Sequence, residues 1–155
     1  MIKTDTIIAL ATPPGMGAIS VIRLSGKDSI IISNKLFKPL NNTDLINQNT
    51  HTISLGYIKD SDITIDKVLI SVFKAPKSYT GENIVEISCH GSVFIQQKII
   101  DLFTVNGCRL ADPGEFTQLP LAWVRKEMTV VGERLWRELR GESCIEFQTM
   151  PKGVA

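Results

Sequence analysis

An α+β two-layer sandwich, with helices laid on a mixed or antiparallel sheet, is the fold class that this sequence predicts. Short Ile- and Val-rich runs read as strands, two segments read as helices, and one pair of strands is close enough in sequence to form a hairpin. Strands mixed with two helices in this way argue against a doubly wound parallel sheet.

The elements follow in order. Asp5 to Ala11 is a strand that runs into the loop Pro13-Pro14-Gly15. Ala18 to Leu24 is a second strand, with Ile19, Val21 and Arg23 on one face and Ser20, Ile22 and Leu24 on the other. Ser25-Gly26 breaks it, and Asp28 or Ser29 can cap a helix from Ile30 to Phe37 with Ile31, Leu36 and Phe37 inward. The polar, Asn-rich stretch Pro39 to Thr50 reads as a surface loop. Thr52 to Tyr57 and Lys67 to Phe73 read as strands of an antiparallel hairpin turned at Lys59-Asp60-Ser61-Asp62. After the loop Ala75 to Glu82, Asn83 to Cys89 is a strand. Ser92 then caps a helix from Val93 to about Phe103, whose stripe is Phe94, Ile95, Ile99, Leu102 and Phe103. Asn106-Gly107 stops that helix, and Cys108 to Ala111 starts a short strand. Beyond Gln118 the composition changes. Both tryptophans and most arginines lie there, and Glu127 to Arg140 can form a helix with Val131, Leu135 and Leu139 on one face.

A chain of 155 residues is one domain's worth and needs neither disulfide nor metal to bury a core. The net charge of +1 provides no global field for nucleic acid or anionic membrane, so any nucleic-acid contact is local or belongs to a partner. Cys89, Cys108 and Cys144 lack the paired spacing of a disulfide framework or zinc site, which favours a reducing, cytoplasmic compartment. No run approaches the roughly 20 apolar residues of a membrane helix.

Few motifs carry chemistry alone. The loop Thr12 to Ala18 has two glycines but lacks the Gly-Lys-Ser/Thr ending of a nucleotide P-loop, and a strand follows it. Cys89 and His90 are strand neighbours on opposite faces, so they cannot form a nucleophile–base dyad. Cys89 reads as a small core residue and His90 as a strand-end residue bonded locally. No catalytic residue and no metal-ligand set is identified. Arg23 and Glu86 stand out, because each is a charge inside an apolar strand and must find a partner. They either pair with each other or face a planar polar ligand. A carboxylate can accept two parallel N–H bonds from an amino-pyrimidinone edge, and an arginine fork suits a carboxylate or carbonyl.

Three segments together are more specific: DTIIALATPPGMGAISVIRLSG (Asp5–Gly26), PKSYTGENIVEISCHG (Pro76–Gly91) and RLADPGEFT (Arg109–Thr117). In this order and spacing they resemble the opening of the tRNA-modification GTPases, over residues 1–118. The resemblance implies a folate-binding, homodimer-forming domain related to that of the aminomethyltransferases. Its cofactor would be a tetrahydrofolate derivative of the 5-formyl or 5,10-methylene type. Two folate contacts carry over inside matched motifs, Arg23 of VIRLSG and Glu86 of IVEI. The complete family members add a helical domain with a potassium-dependent GTPase domain. With an FAD-dependent partner protein they modify C5 of the wobble uridine of certain tRNAs.

The departures are also specific. Ser92 replaces the second glycine of the family's C-H-G-G segment, and residues 119–155 do not match the family. A family lysine that contacts folate lies in that lost segment. Lys126 is at a similar distance, but its flanks differ and the role is not transferred. Walker and other nucleotide-binding motifs are absent from these 155 residues. A frameshift, a fusion or a truncated gene would each give such a tail. Two alternatives to a folate-binding, dimer-forming module stand: a self-sufficient folate-dependent one-carbon transferase, and a non-functional fragment.

Overall fold

A computed structural model describes residues 5–78, 80–111 and 121–142. They fall into two compact units, 1–111 and 112–155.

The first unit is a two-layer α+β sandwich built on a seven-stranded mixed sheet. The strands are β1 (Ile7–Leu10), β2 (Ile19–Ser25), β3 (Phe37–Pro39), β4 (Thr52–Asp60), β5 (Ile63–Phe73), β6 (Ile84–His90) and β7 (Arg109–Leu110). Their spatial order is β3-β4-β5-β6-β2-β1-β7. Every pairing is antiparallel except that of β1 with β7. Helices α1 (Ser29–Leu36) and α2 (Val93–Val105) pack on the sheet.

Period-two alternation decides which side chains meet the helices. Ile8, Ile22, Leu24, Val68, Ile70, Val72, Val85 and Ile87 of the sheet form one core with Ile30, Ile32 and Leu36 of α1 and Ile99, Leu102 and Phe103 of α2. Ile8, Ile22, Ile70, Ile87 and Phe103 have no solvent exposure. Each such burial contributes about 1.5–3 kcal/mol.

The sequence reading needs correction at several points. Ile31 is 48% exposed rather than inward. Helix α1 starts at Ser29, and its buried face is Ser29, Ile32, Ser33 and Leu36, at helical spacing. Phe37 is buried, but as the first residue of β3, a strand that pairs with the β4–β5 hairpin. Gly56 permits this, since a Cβ there would overlap the Phe37 ring. Phe94 is 67% exposed, because the inward stripe of α2 is Gln96, Ile99, Leu102 and Phe103. The Asn-rich stretch is not wholly surface. Leu45 is fully buried, with its N–H on Asn34 Oδ1 at 2.9 Å, and Gln48 Oε1 accepts from Ser54 at 2.6 Å. The hairpin strands also run further than expected, to a tight turn where Ser61 has a positive φ of 55°.

Ser92 caps α2 as expected, its Oγ accepting from Ile95 N at 3.4 Å. The N-cap of α1 is Asp28, which makes no side-chain cap bond. Its own N–H goes to Thr6 Oγ1 at 3.1 Å.

In the second unit, α3 spans Leu121–Leu139, where the sequence reading began a helix at Glu127. Pro120 immediately precedes it in sequence, a residue type favoured at helix starts. Glu133 accepts from Arg125 at 2.8 Å and from Arg137 at 3.1 Å, which holds its carboxyl down at about 2. Leu135 and Leu139 are exposed. The Asp112–Thr117 part of the third matched segment, Cys144 and the side chains of Trp123, Lys126 and Val131 lie outside the described residues. No helix among the described residues is long and apolar enough to cross a membrane.

Candidate ligand-binding face

The outward side chains of the central strands form the second face of the sheet. Ile19 and Ile53 are 66% exposed there, and Leu55 and Leu69 are also exposed. Arg23 and Glu86 sit in the middle of this face. They are directly opposite each other, Arg23 on β2 and Glu86 on β6.

Their contact is one-sided. Arg23 Nε donates to Glu86 Oε1 at 2.9 Å and Nη2 donates to the same oxygen at 2.6 Å. Among the described residues, Oε2 of Glu86 accepts nothing. The two side chains are 40% and 21% exposed, so the pair contributes only about 0.2–1 kcal/mol. Small residues flank them on both sides: Ser71 on β5 beside Glu86, and Ala9 on β1 beside Arg23.

A second polar group closes one end of the face. Ser25, two residues beyond Arg23, has its Oγ 2.9 Å from Thr80 Oγ1 and donates to Glu82 Oε2 at 3.3 Å. Thr80 and Glu82 come from the β5–β6 loop. Sequence reading missed all three, since it takes the fold to lay this loop beside β2. The glycine loop at 12–18 is docked on the end of β6. Gly17 N–H donates to Gly91 O at 2.9 Å, Gly91 N–H returns to Ala18 O at 3.2 Å, and Gln96 Nε2 donates to Gly15 O at 3.0 Å.

At the far end, His90 closes β6. It bonds not locally but to Asp66, 24 residues away, whose Oδ2 accepts His90 N–H at 2.9 Å and whose Oδ1 lies 2.7 Å from Nδ1. Sequence reading missed Asp66, and no local pattern marks it. Cys89 is buried on the helix side, as its place in the alternation predicts, and burial together with the charge of Asp66 pushes its thiol up to about 11. Burial does the same to Cys108. An open cleft of about 340 Å³ lies between β3 and the β4–β5 hairpin, away from Arg23 and Glu86, with Lys38, Leu40, Tyr57, Lys59 and Thr64 in its lining.

Comparison with known proteins agrees with this architecture. Residues 6–122 match the family model described as the GTP-binding protein TrmE N-terminus. The tRNA modification GTPase MnmE of Flavobacterium johnsoniae is 59% identical over 117 residues, covering 76% of this chain and 25% of that protein. The protein of the same name from Christiangramia forsetii is 58% identical over 113 residues, 73% of this chain and 24% of its own length. That from Moorella thermoacetica is 52% identical over 116 residues, 74% and 25%. The chain thus spans about a quarter of the length of the curated relatives it matches. It belongs to the tRNA-modification GTPase family, through that family's TrmE N-terminal domain.

Proposed function

We propose that this chain is the tetrahydrofolate-binding and dimer-forming module of a GTPase that modifies C5 of the wobble uridine in tRNA. One observation carries the reading: among the described residues nothing donates to Glu86 Oε2, while Arg23 holds Oε1, on the outward face of the sheet. A carboxylate so held is oriented and can still accept N–H bonds from the amino-pyrimidinone edge of a pterin. Arg23 neutralises part of its charge and fixes its orientation. Ser71 and Ala9, both small, flank the pair, and Ser25, Thr80 and Glu82 bound the site at one end. A reduced folate of the 5-formyl or 5,10-methylene type would supply a one-carbon unit there.

Exposed Ile19 and Ile53 on the same face favour a second copy packing there, giving a homodimer. The GTPase step, with its potassium requirement, and the FAD-dependent partner belong to the complete family members. The relatives are named tRNA modification GTPases, which supports the tRNA assignment. Buried free thiols at Cys89 and Cys108 suit a reducing cytoplasm.

Titration calorimetry of the 155-residue chain with 5-formyltetrahydrofolate tests the proposal. Saturable binding is expected. Arg23→Ala and Glu86→Ala each remove bonds to a charged group, about 1.5–3 kcal/mol, which is a weakening of roughly tenfold to a hundredfold. A folded chain that takes up no ligand at millimolar concentration, or a double variant with unchanged affinity, contradicts it.

A further inference from the structure

Three rows of side chains cross the outward face, each two residues along the strands from the last. The first is Ser71–Glu86–Arg23. The second, Leu55–Leu69–Ser88–Val21, is mostly apolar, with Leu55 and Leu69 exposed. The third is Lys38–Tyr57–Lys67, on β3, β4 and β5. On β5, Ser71 to Lys67 is four residues, about 13 Å of strand at ~3.3 Å per residue. The third row adjoins the cleft that Lys38, Tyr57 and Lys59 line.

This row is basic and available. Lys67 Nζ lies 5.8 Å from the centroid of the Tyr57 ring. Lys38, Lys59 and Lys67 have no carboxylate partner among the described residues. Asp66, next to Lys67, is already used: it accepts the backbone N–H of Lys67 at 2.9 Å and binds His90 through both oxygens. Other acids nearby in sequence, Asp60 and Asp62, are exposed at the hairpin end.

We infer that the Lys38–Tyr57–Lys67 row and its cleft hold the γ-linked glutamyl tail of a polyglutamylated reduced folate. This rests on the folate reading of Arg23 and Glu86. The order of chemistry along the face matches the order along such a ligand. A charged pair meets the pterin, an apolar row meets the aminobenzoyl ring, and lysines meet a tail that bears a carboxylate on every glutamate. Unpaired ammonium groups suit this flexible polyanion, since none need give up an existing ion pair. The contacts are solvent-exposed and therefore salt-sensitive.

The experiment compares 5-formyltetrahydrofolate in its monoglutamate and triglutamate forms on the full chain. At low salt the triglutamate should bind about tenfold tighter, the sum of a few exposed ion pairs. High salt should shrink that ratio. The Lys38→Ala, Lys67→Ala double variant should bring it close to one, while Lys67→Arg preserves it; thermal melts confirm folding in each case. Equal binding of both forms by the unaltered chain, or a ratio indifferent to salt and to the lysines, overturns the inference and leaves the pterin site standing. Failure of both forms to bind overturns the pterin site as well. A labelled oligouridylate is the control for RNA. If loss of the lysines weakens its binding while the triglutamate ratio stays at one, the row serves RNA and the inference falls.

Discussion

At Glu86 both guanidinium bonds of the part-buried pair fall on one carboxylate oxygen. Under the proposal, its free oxygen is where the ligand is read. Both residues were legible in sequence, because a charge amid alternating Ile and Val is conspicuous in a strand. That they oppose each other depends on the β2–β6 register, which residues 63 apart do not reveal. The thiols offer a prediction at this scale. Cys89 and Cys108 are pushed from an ordinary 9.0 to about 11. Between these values the unfolded chain has released the two protons and the folded chain retains them. Stability should therefore be unaffected by these groups below pH 9 and fall as pH rises from 9 to 11. Urea titrations at pH 8 and pH 10.5 check this, against a Cys89→Ala, Cys108→Ala variant whose stability should fall less over the same interval. An identical fall in the variant assigns the effect to other groups.

Elements meet most tightly where the 12–18 loop crosses the end of β6. A Cβ on Gly91 would overlap the Gly17 carbonyl, and the two backbones exchange bonds on either side of it. Gly91→Ala should push the loop away at a cost of about 1–3 kcal/mol, lowering Tm by roughly 5–20 °C for a domain this size. An unchanged Tm would mean that the loop is not seated there. Most elements were readable from alternation and from capping residues such as Ser92. Failures occurred where tertiary pairing overrides local pattern. Three-residue β3 exists because it pairs with β4, and nothing in Phe37-Lys38-Pro39 announces a strand. Phe94 was expected inward for its hydrophobicity, but Gln96 occupies that face, donating to Ser20 Oγ at 2.5 Å and to Gly15 O. A polar residue chosen by one specific acceptor defeats a count of apolar positions.

For the molecule as a whole, one face of the sheet is covered by α1 and α2, and the other carries exposed aliphatics around a charged pair. The family segments fall on β1–β2, on the β5–β6 loop with β6, and from β7 onward. Strands β2 and β6 are adjacent in the sheet. The long stretch between the first two matched segments supplies the hairpin that widens the sheet and brings the lysine row. Kinship was visible in the linear motifs, whereas the three-row organisation of the face needed the strand order β4-β5-β6-β2. The central claim is that this face is where reduced folate binds. Amide chemical-shift mapping by NMR during titration with 5-formyltetrahydrofolate tests it most directly. Shifts should concentrate at Val21, Arg23, Ser71, Glu86 and Ser88 and saturate together. Shifts confined to α1 and α2, or none at saturating ligand, would contradict the account.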